Sequence, residues 1–144
     1  MTASRPLTID PEFVLDGIAK SLMAVVPALT VKAGWEPPRT ASVEVSFAGS
    51  LWEGFSRSEV DDDGNIVEDW CAEDWVRFAA DTLGRIQDII ATSTAMPWPL
   101  VMVGGRHDFA VPHARLVDGH AIEMTLGSES GPLIRFAPVP LLRG

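Results

Sequence analysis

Between Trp70 and Ala91 apolar side chains return every three or four residues, and no other stretch constrains the fold so tightly. Trp75, Phe78, Ala79, Thr82, Ile86 and Ile89 make one face, which Leu83 and Ile90 widen. Asp74, Arg77, Asp81, Arg85 and Asp88 alternate in sign on the opposite face. This is the period of an amphipathic helix. Exposed charge pairs at such spacings contribute only ~0.2–0.5 kcal/mol each, so the helix must be held by packing of its aromatic face. The pattern predicts a helix over 70–91, capped by Asp69 and ended by Pro97-Trp98-Pro99.

A second helix is predicted to start at Asp10, where Asp10 caps, Pro11 suits the first helical position and Glu12 complements the positive helix end. Val14, Ile18, Leu22 and Val25 form its stripe, Asp16 and Lys20 pair on its wet side, and Pro27 stops it at about Val26. Trp35-Glu36-Pro37-Pro38 reads as a connector. Val43, Val45 and Phe47 then alternate with Glu44 and Ser46, the mark of a strand with one buried face. A second strand over 51–59 follows a turn at Gly49-Ser50, and Asp63-Gly64-Asn65 supplies another tight turn. The last third reads as strands over 100–103, 113–117, 120–126 and 133–137, with Asp118-Gly119 joining the middle two.

This order, helix-strand-strand-helix and then strands, points to an α+β fold. The expected architecture is an antiparallel sheet of about five strands with two amphipathic helices packed on one face. A parallel nucleotide-binding sheet would need regular alternation of strand and helix. With 144 residues, 47% of them apolar, the chain can build one core, so a single domain over 1–144 is expected. Residues 1–9 are expected to form a flexible amino-terminal arm and 137–144 an extended carboxyl-terminal arm.

Charge narrows the function classes. A net charge of −9 argues against nucleic acid, whose binders need a cationic face, and against docking on anionic membranes. The partners expected are another protein with a basic or mixed surface, or the chain itself as a homo-oligomer. Cys71 is the sole cysteine, so no intramolecular disulfide can form. The first ten residues lack the apolar core of a signal peptide, and no apolar run approaches the ~20 residues that cross a bilayer. A cytoplasmic location is expected.

Eight of the twenty acidic residues fall between Glu59 and Asp74, a segment without lysine or arginine. It nearly spells a calcium loop: Glu59, Asp61, Asp63, Gly64 and Ile66 stand at positions 1, 3, 5, 6 and 8 of such a loop. The twelfth position, where a bidentate glutamate belongs, is Trp70, and no helix pattern enters from 51–59. A solvated turn therefore stands beside two functional readings, a cation site of Asp61, Asp63 and Glu68 with Asp69, or a dock for a cationic partner.

Other motifs stop short of chemistry. His107-Asp108 with His113 and His120 forms the one cluster suited to a metal or to acid–base work, but the spacings of six and seven do not match helical zinc motifs. With Asp118-Gly119 as a two-residue turn, Val117 faces His120 and His113 faces Met124, which leaves these histidines at opposite ends of the hairpin. Gly127-Ser128-Glu129-Ser130-Gly131 resembles a nucleophile elbow with glutamate in the serine position. No phosphate-binding glycine motif is present, and Cys71 is not read as a catalytic thiol. No metal site and no cofactor are expected. Trp35, Trp52, Trp70 and Trp98 lie beside prolines, turns or acidic stretches, where tryptophan either closes a core edge or anchors a partner.

The sequence is thus read as a small, acidic, non-catalytic binding module of inhibitor, immunity or adaptor type. Trp52, Asp61, Asp62, Asp63, Glu68, Asp69, Trp70, Glu73 and Asp74 are its candidate contact residues. The alternatives are a subunit of a larger assembly such as a phage virion, with the apolar carboxyl terminus as an arm, and a small metal-dependent hydrolase using His107, Asp108 and His113.

Overall fold

In the computed structural model, residues 9–37, 39–50, 52–60, 62–65, 70–96, 98–99, 101–103, 106–108, 110–128 and 131–142 are described. Asp10 opens the first helix: its carboxylate accepts the Glu12 N–H at 3.1 Å, and Pro11 follows as the first helical residue. Helix α1 (Pro11–Val25) buries Val14, Leu15, Ile18, Ala19 and Leu22. The row of residues four apart continues to Val26, which is buried, so Val25 turns outward and leaves its predicted place in the stripe.

The predicted connector at Trp35 is instead the end of a strand, β1 (Leu29–Glu36). Leu29, Val31, Ala33 and Trp35 point inward, and Pro37 follows only after Glu36 has ended the strand, ahead of β2 (Thr40–Phe47). β1 and β2 pair antiparallel with Val31 opposite Val45, and β2 pairs with β3 (Glu53–Ser58) with Val43 opposite Phe55. After β2 the chain turns with Ala48 and Gly49 at positive φ, and Ser50 N–H donates to Phe47 O at 2.9 Å.

Helix α2 (Ala72–Thr94) starts two residues later than predicted. Cys71 is the cap, with its N–H donated to Asp74 Oδ2 at 2.8 Å, while Trp70 precedes the helix and enters the core. The predicted inward face holds in full: Trp75, Phe78, Ala79, Thr82, Leu83, Ile86, Ile89 and Ile90 are all buried.

The carboxyl-terminal third carries β4 (Val101–Val103), β5 (Arg106–Asp108), β6 (Val111–Val117), β7 (Ala121–Ser128), β8 (Gly131–Arg135) and β9 (Val139–Pro140). In place of one five-stranded sheet there are, among the described residues, three antiparallel sheets: β1-β2-β3, β4-β5, and β6-β7-β8 with β9 also on β7. β8 and β9 lie along the same side of β7, so they amount to one strand interrupted at Phe136–Pro138. The hairpin joining β6 to β7 sets Val117 opposite Ala121 and His113 opposite Thr125, one residue away from the predicted register, because Asp118, Gly119 and His120 all belong to the turn.

α1 packs on β1 and β9, and α2 packs on β6, β7 and β2. The helices thus stand between the two larger sheets and contact both, rather than covering one face of a single sheet. The segment expected as a free carboxyl-terminal arm closes this arrangement. Phe136, Val139 and Leu141 are buried, Leu141 N–H donates to His120 O at 2.9 Å, and Ser21 Oγ donates to Ala137 O at 2.7 Å. A Cβ on Gly17 would lie 2.9 Å from Val139 Cγ1, so glycine permits this close approach of α1 to β9. Residues 1–8 of the predicted amino-terminal arm, and 143–144, lie outside the described residues. No helix among those described is long and apolar enough to cross a membrane.

Candidate functional site

The end of the molecule where β3 leads into α2 gathers the acidic segment. Glu59, one residue past β3, is buried and faces two arginines: its Oε1 lies 2.9 Å from Arg57 Nε, and its Oε2 lies 3.8 Å from Arg77 Nη2. The Arg57 contact is close enough for an ion pair but off the line of a hydrogen bond, since Oε1 has no donor among the described residues. Arg77 also pairs with Asp74, Arg57 reaches Asp81 at 3.7 Å, and Arg85 reaches Asp81 at 3.5 Å. Arg85 further lies over the Phe55 ring at 4.5 Å. A ladder of alternating charge therefore joins β3 to the outer side of α2.

This ladder determines which carboxylates remain outward. Asp74 is 7% exposed, held by the Cys71 N–H and by Arg77, so its carboxylate is used within the fold. Asp62, Asp63 and Glu73 are exposed at the same end. Asp62 and Glu73 make no ion pair among the described residues, and Arg57, Arg77 and Arg85 face Glu59, Asp74 and Asp81 instead. Asp61, Glu68 and Asp69 lie outside the described residues.

The two tryptophans assigned to the rim separate. Trp70 is 6% exposed, with its ring centroid 4.5 Å from Trp75, 5.5 Å from Trp35 and 5.7 Å from Phe78. It is a core residue, placed there because α2 starts at Ala72 and leaves Trp70 free to turn inward. Trp52 is 47% exposed but precedes β3, while the acidic turn follows it. The whole length of the strand separates them, roughly 20 Å at ~3.3 Å per residue. At that far end Lys32 Nζ sits 4.6 Å above the Trp52 ring. The structure thus brings Asp62, Asp63 and Glu73 to one end, turns Trp70 and Asp74 inward, and sends Trp52 away.

No group of three metal-ligating side chains is assembled among the described residues. His113 is on β6 opposite Thr125, and His120 is in the β6–β7 turn with its Nδ1 2.7 Å from Asp118 O. His107 and Asp108 belong to β5, opposite Met102 and Val101, and their side chains lie outside the described set.

Two features escaped the sequence reading. One is the ion pairing that Arg57 on β3 makes with Glu59 and Asp81, and Arg77 with Glu59, which links β3 to α2 across residues distant in sequence. The other is a cleft between β3 and α2 lined by Glu53, Gly54, Phe55, Arg85, Asp88, Ile89 and Thr92. Among the described residues β3 is the edge of its sheet. No protein family, curated protein or solved structure matches the chain.

Proposed function

We propose that this chain is a non-catalytic protein-binding module that takes a basic or mixed partner surface on its acidic end. The observation that carries the reading is the internal use of Arg57, Arg77 and Arg85, which leaves Asp62 and Glu73 outward with no cation paired to them among the described residues. Clustered exposed carboxylates repel one another and attract a cationic surface, raising encounter rates and fixing orientation. Asp63 stands beside Asp62 and extends the patch. The reading covers an inhibitor, an immunity-type protein or an adaptor.

The test compares retention of interacting proteins by the native chain and by the variant D62N/D63N/E73Q. A partner held by the native chain is expected to be lost from the variant. It should also be released by native protein at 1 M salt, where the screening length falls to about 3 Å. Circular dichroism should match between the two proteins, since none of the three side chains is buried. Equal retention by native and neutralised chains would remove the acidic end from the reading.

A further inference from the structure

We propose that β3 pairs edge to edge with β3 of a second copy, in a register centred on Phe55, to give a two-fold symmetric dimer. Among the described residues β3 pairs with β2 alone, and α2 lies over the face that carries Phe55 and Arg57. Glu53, Gly54, Ser56 and Ser58 are exposed, and neither proline nor a bulge interrupts the strand. An open edge of this kind is a template for another strand. The opposite sheet differs: its edge strand β6 carries Pro112, which has no N–H to give, and lies against α2.

The occupant follows from the charges. Glu53, Phe55 and Arg57 share the face of β3 turned toward α2, with Phe55 at the centre of the three. A two-fold axis through Phe55 puts Phe55 opposite Phe55 of the second copy, and Glu53 opposite its Arg57, twice by symmetry. Gly54 then faces Ser56 of the second copy, so small side chains meet on the other face. Opposite charges and aromatic pairs directly across antiparallel strands are favourable, and like charges are not. Shifting the centre to Ser56 would bring Glu53 against Glu59, a like-charge contact. A shift that pairs odd positions with even ones would turn Glu53 and Arg57 to opposite faces.

Glu53 is available for that pairing, since it is exposed and makes no ion pair among the described residues. Arg57 already faces Glu59 and Asp81, yet its guanidinium has five N–H donors and retains capacity for a further carboxylate. The resulting sheet runs continuously through six strands, with the α2 helices of both copies on one side and the clefts meeting across the junction. The acidic ends lie at opposite extremes of this dimer, so it does not depend on the partner surface proposed above.

Sedimentation velocity across a concentration series tests the pairing. The native chain is expected to dimerise, and E53R to weaken dimerisation by on the order of tenfold or more, because two attractive pairs become repulsive. A second variant fixes the register: F55C in a C71S background should oxidise to a disulfide-linked dimer, since the axis brings residue 55 within about 5.5 Å of its copy. D62N/D63N/E73Q should dimerise as the native chain does. A native monomer at every concentration would overturn the proposal. So would a dimer indifferent to E53R, or a folded F55C/C71S chain that forms no disulfide.

Discussion

Replacing Trp70 by alanine removes an indole packed among Trp35, Trp75 and Phe78 and is expected to cost about 3–5 kcal/mol, seen as a lower urea midpoint. Trp52→Ala loses a half-exposed ring under Lys32 and should cost less than about 1 kcal/mol in the same titration. Sequence position alone ranks these residues the other way or not at all, because each stands beside a polar turn. What separates them is the direction in which the backbone leaves the element, a property of the fold rather than of the residue. Glu59 is a related case. It reads as one acid in a run of acids, yet burial between Arg57 and Arg77 makes it a strut between β3 and α2. Glu59→Ala is expected to destabilise by about 1–3 kcal/mol, toward the lower end because both arginines reach solvent.

At the scale of elements, both ends of α2 can be improved. Ala95, which ends the helix, is left-handed at φ 57°, a conformation that crowds the Cβ of any residue but glycine. Ala95→Gly is expected to raise stability by about 0.5–1 kcal/mol in thermal unfolding, the relief of that strain exceeding glycine's larger unfolded-state entropy. At the other end Cys71 stands where a hydroxyl caps best, so Cys71→Ser should add about 0.5 kcal/mol and leave the helix boundaries unchanged. The inward face of α2 is legible in the sequence because a long 3.6-residue period averages out individual exceptions. Its first residue is not, since Asp69, Trp70 and Cys71 all precede it and only the Asp74 side chain, reaching back to Cys71, decides among them. β1 was legible in principle. Leu29, Val31, Ala33 and Trp35 alternate cleanly with polar or small residues, and Pro37 marks the turn after the strand rather than the absence of one.

For the whole molecule, the order of elements announces an α+β fold but not the division into separate sheets. Local hairpins form either way; which strand neighbours which across α2 depends on contacts far apart in sequence, and a single chain does not display these. The carboxyl terminus makes the same point. Its prolines suggest an extended arm, and the strand is indeed broken at Pro138, but Val139 and Leu141 continue along β7 into the core. Deleting 137–144 is therefore expected to destabilise the fold by about 3–6 kcal/mol, the transfer cost of exposing the surfaces those two side chains cover. A truncated chain as stable as the full one would show that β9 is dispensable.

Helix α2 touches β2 on one side and β6 and β7 on the other, so neither sheet can open without uncovering it. Slow amide exchange should accordingly be shared. Amides of β2, α2 and β7 are expected to exchange through one global opening with a common free energy, while those of β4 and β5, paired among the described residues only with each other, exchange through smaller local events. A mutation that loosens the first sheet would then speed exchange in the second by the same factor, with α2 as the shared wall through which the two report each other's stability.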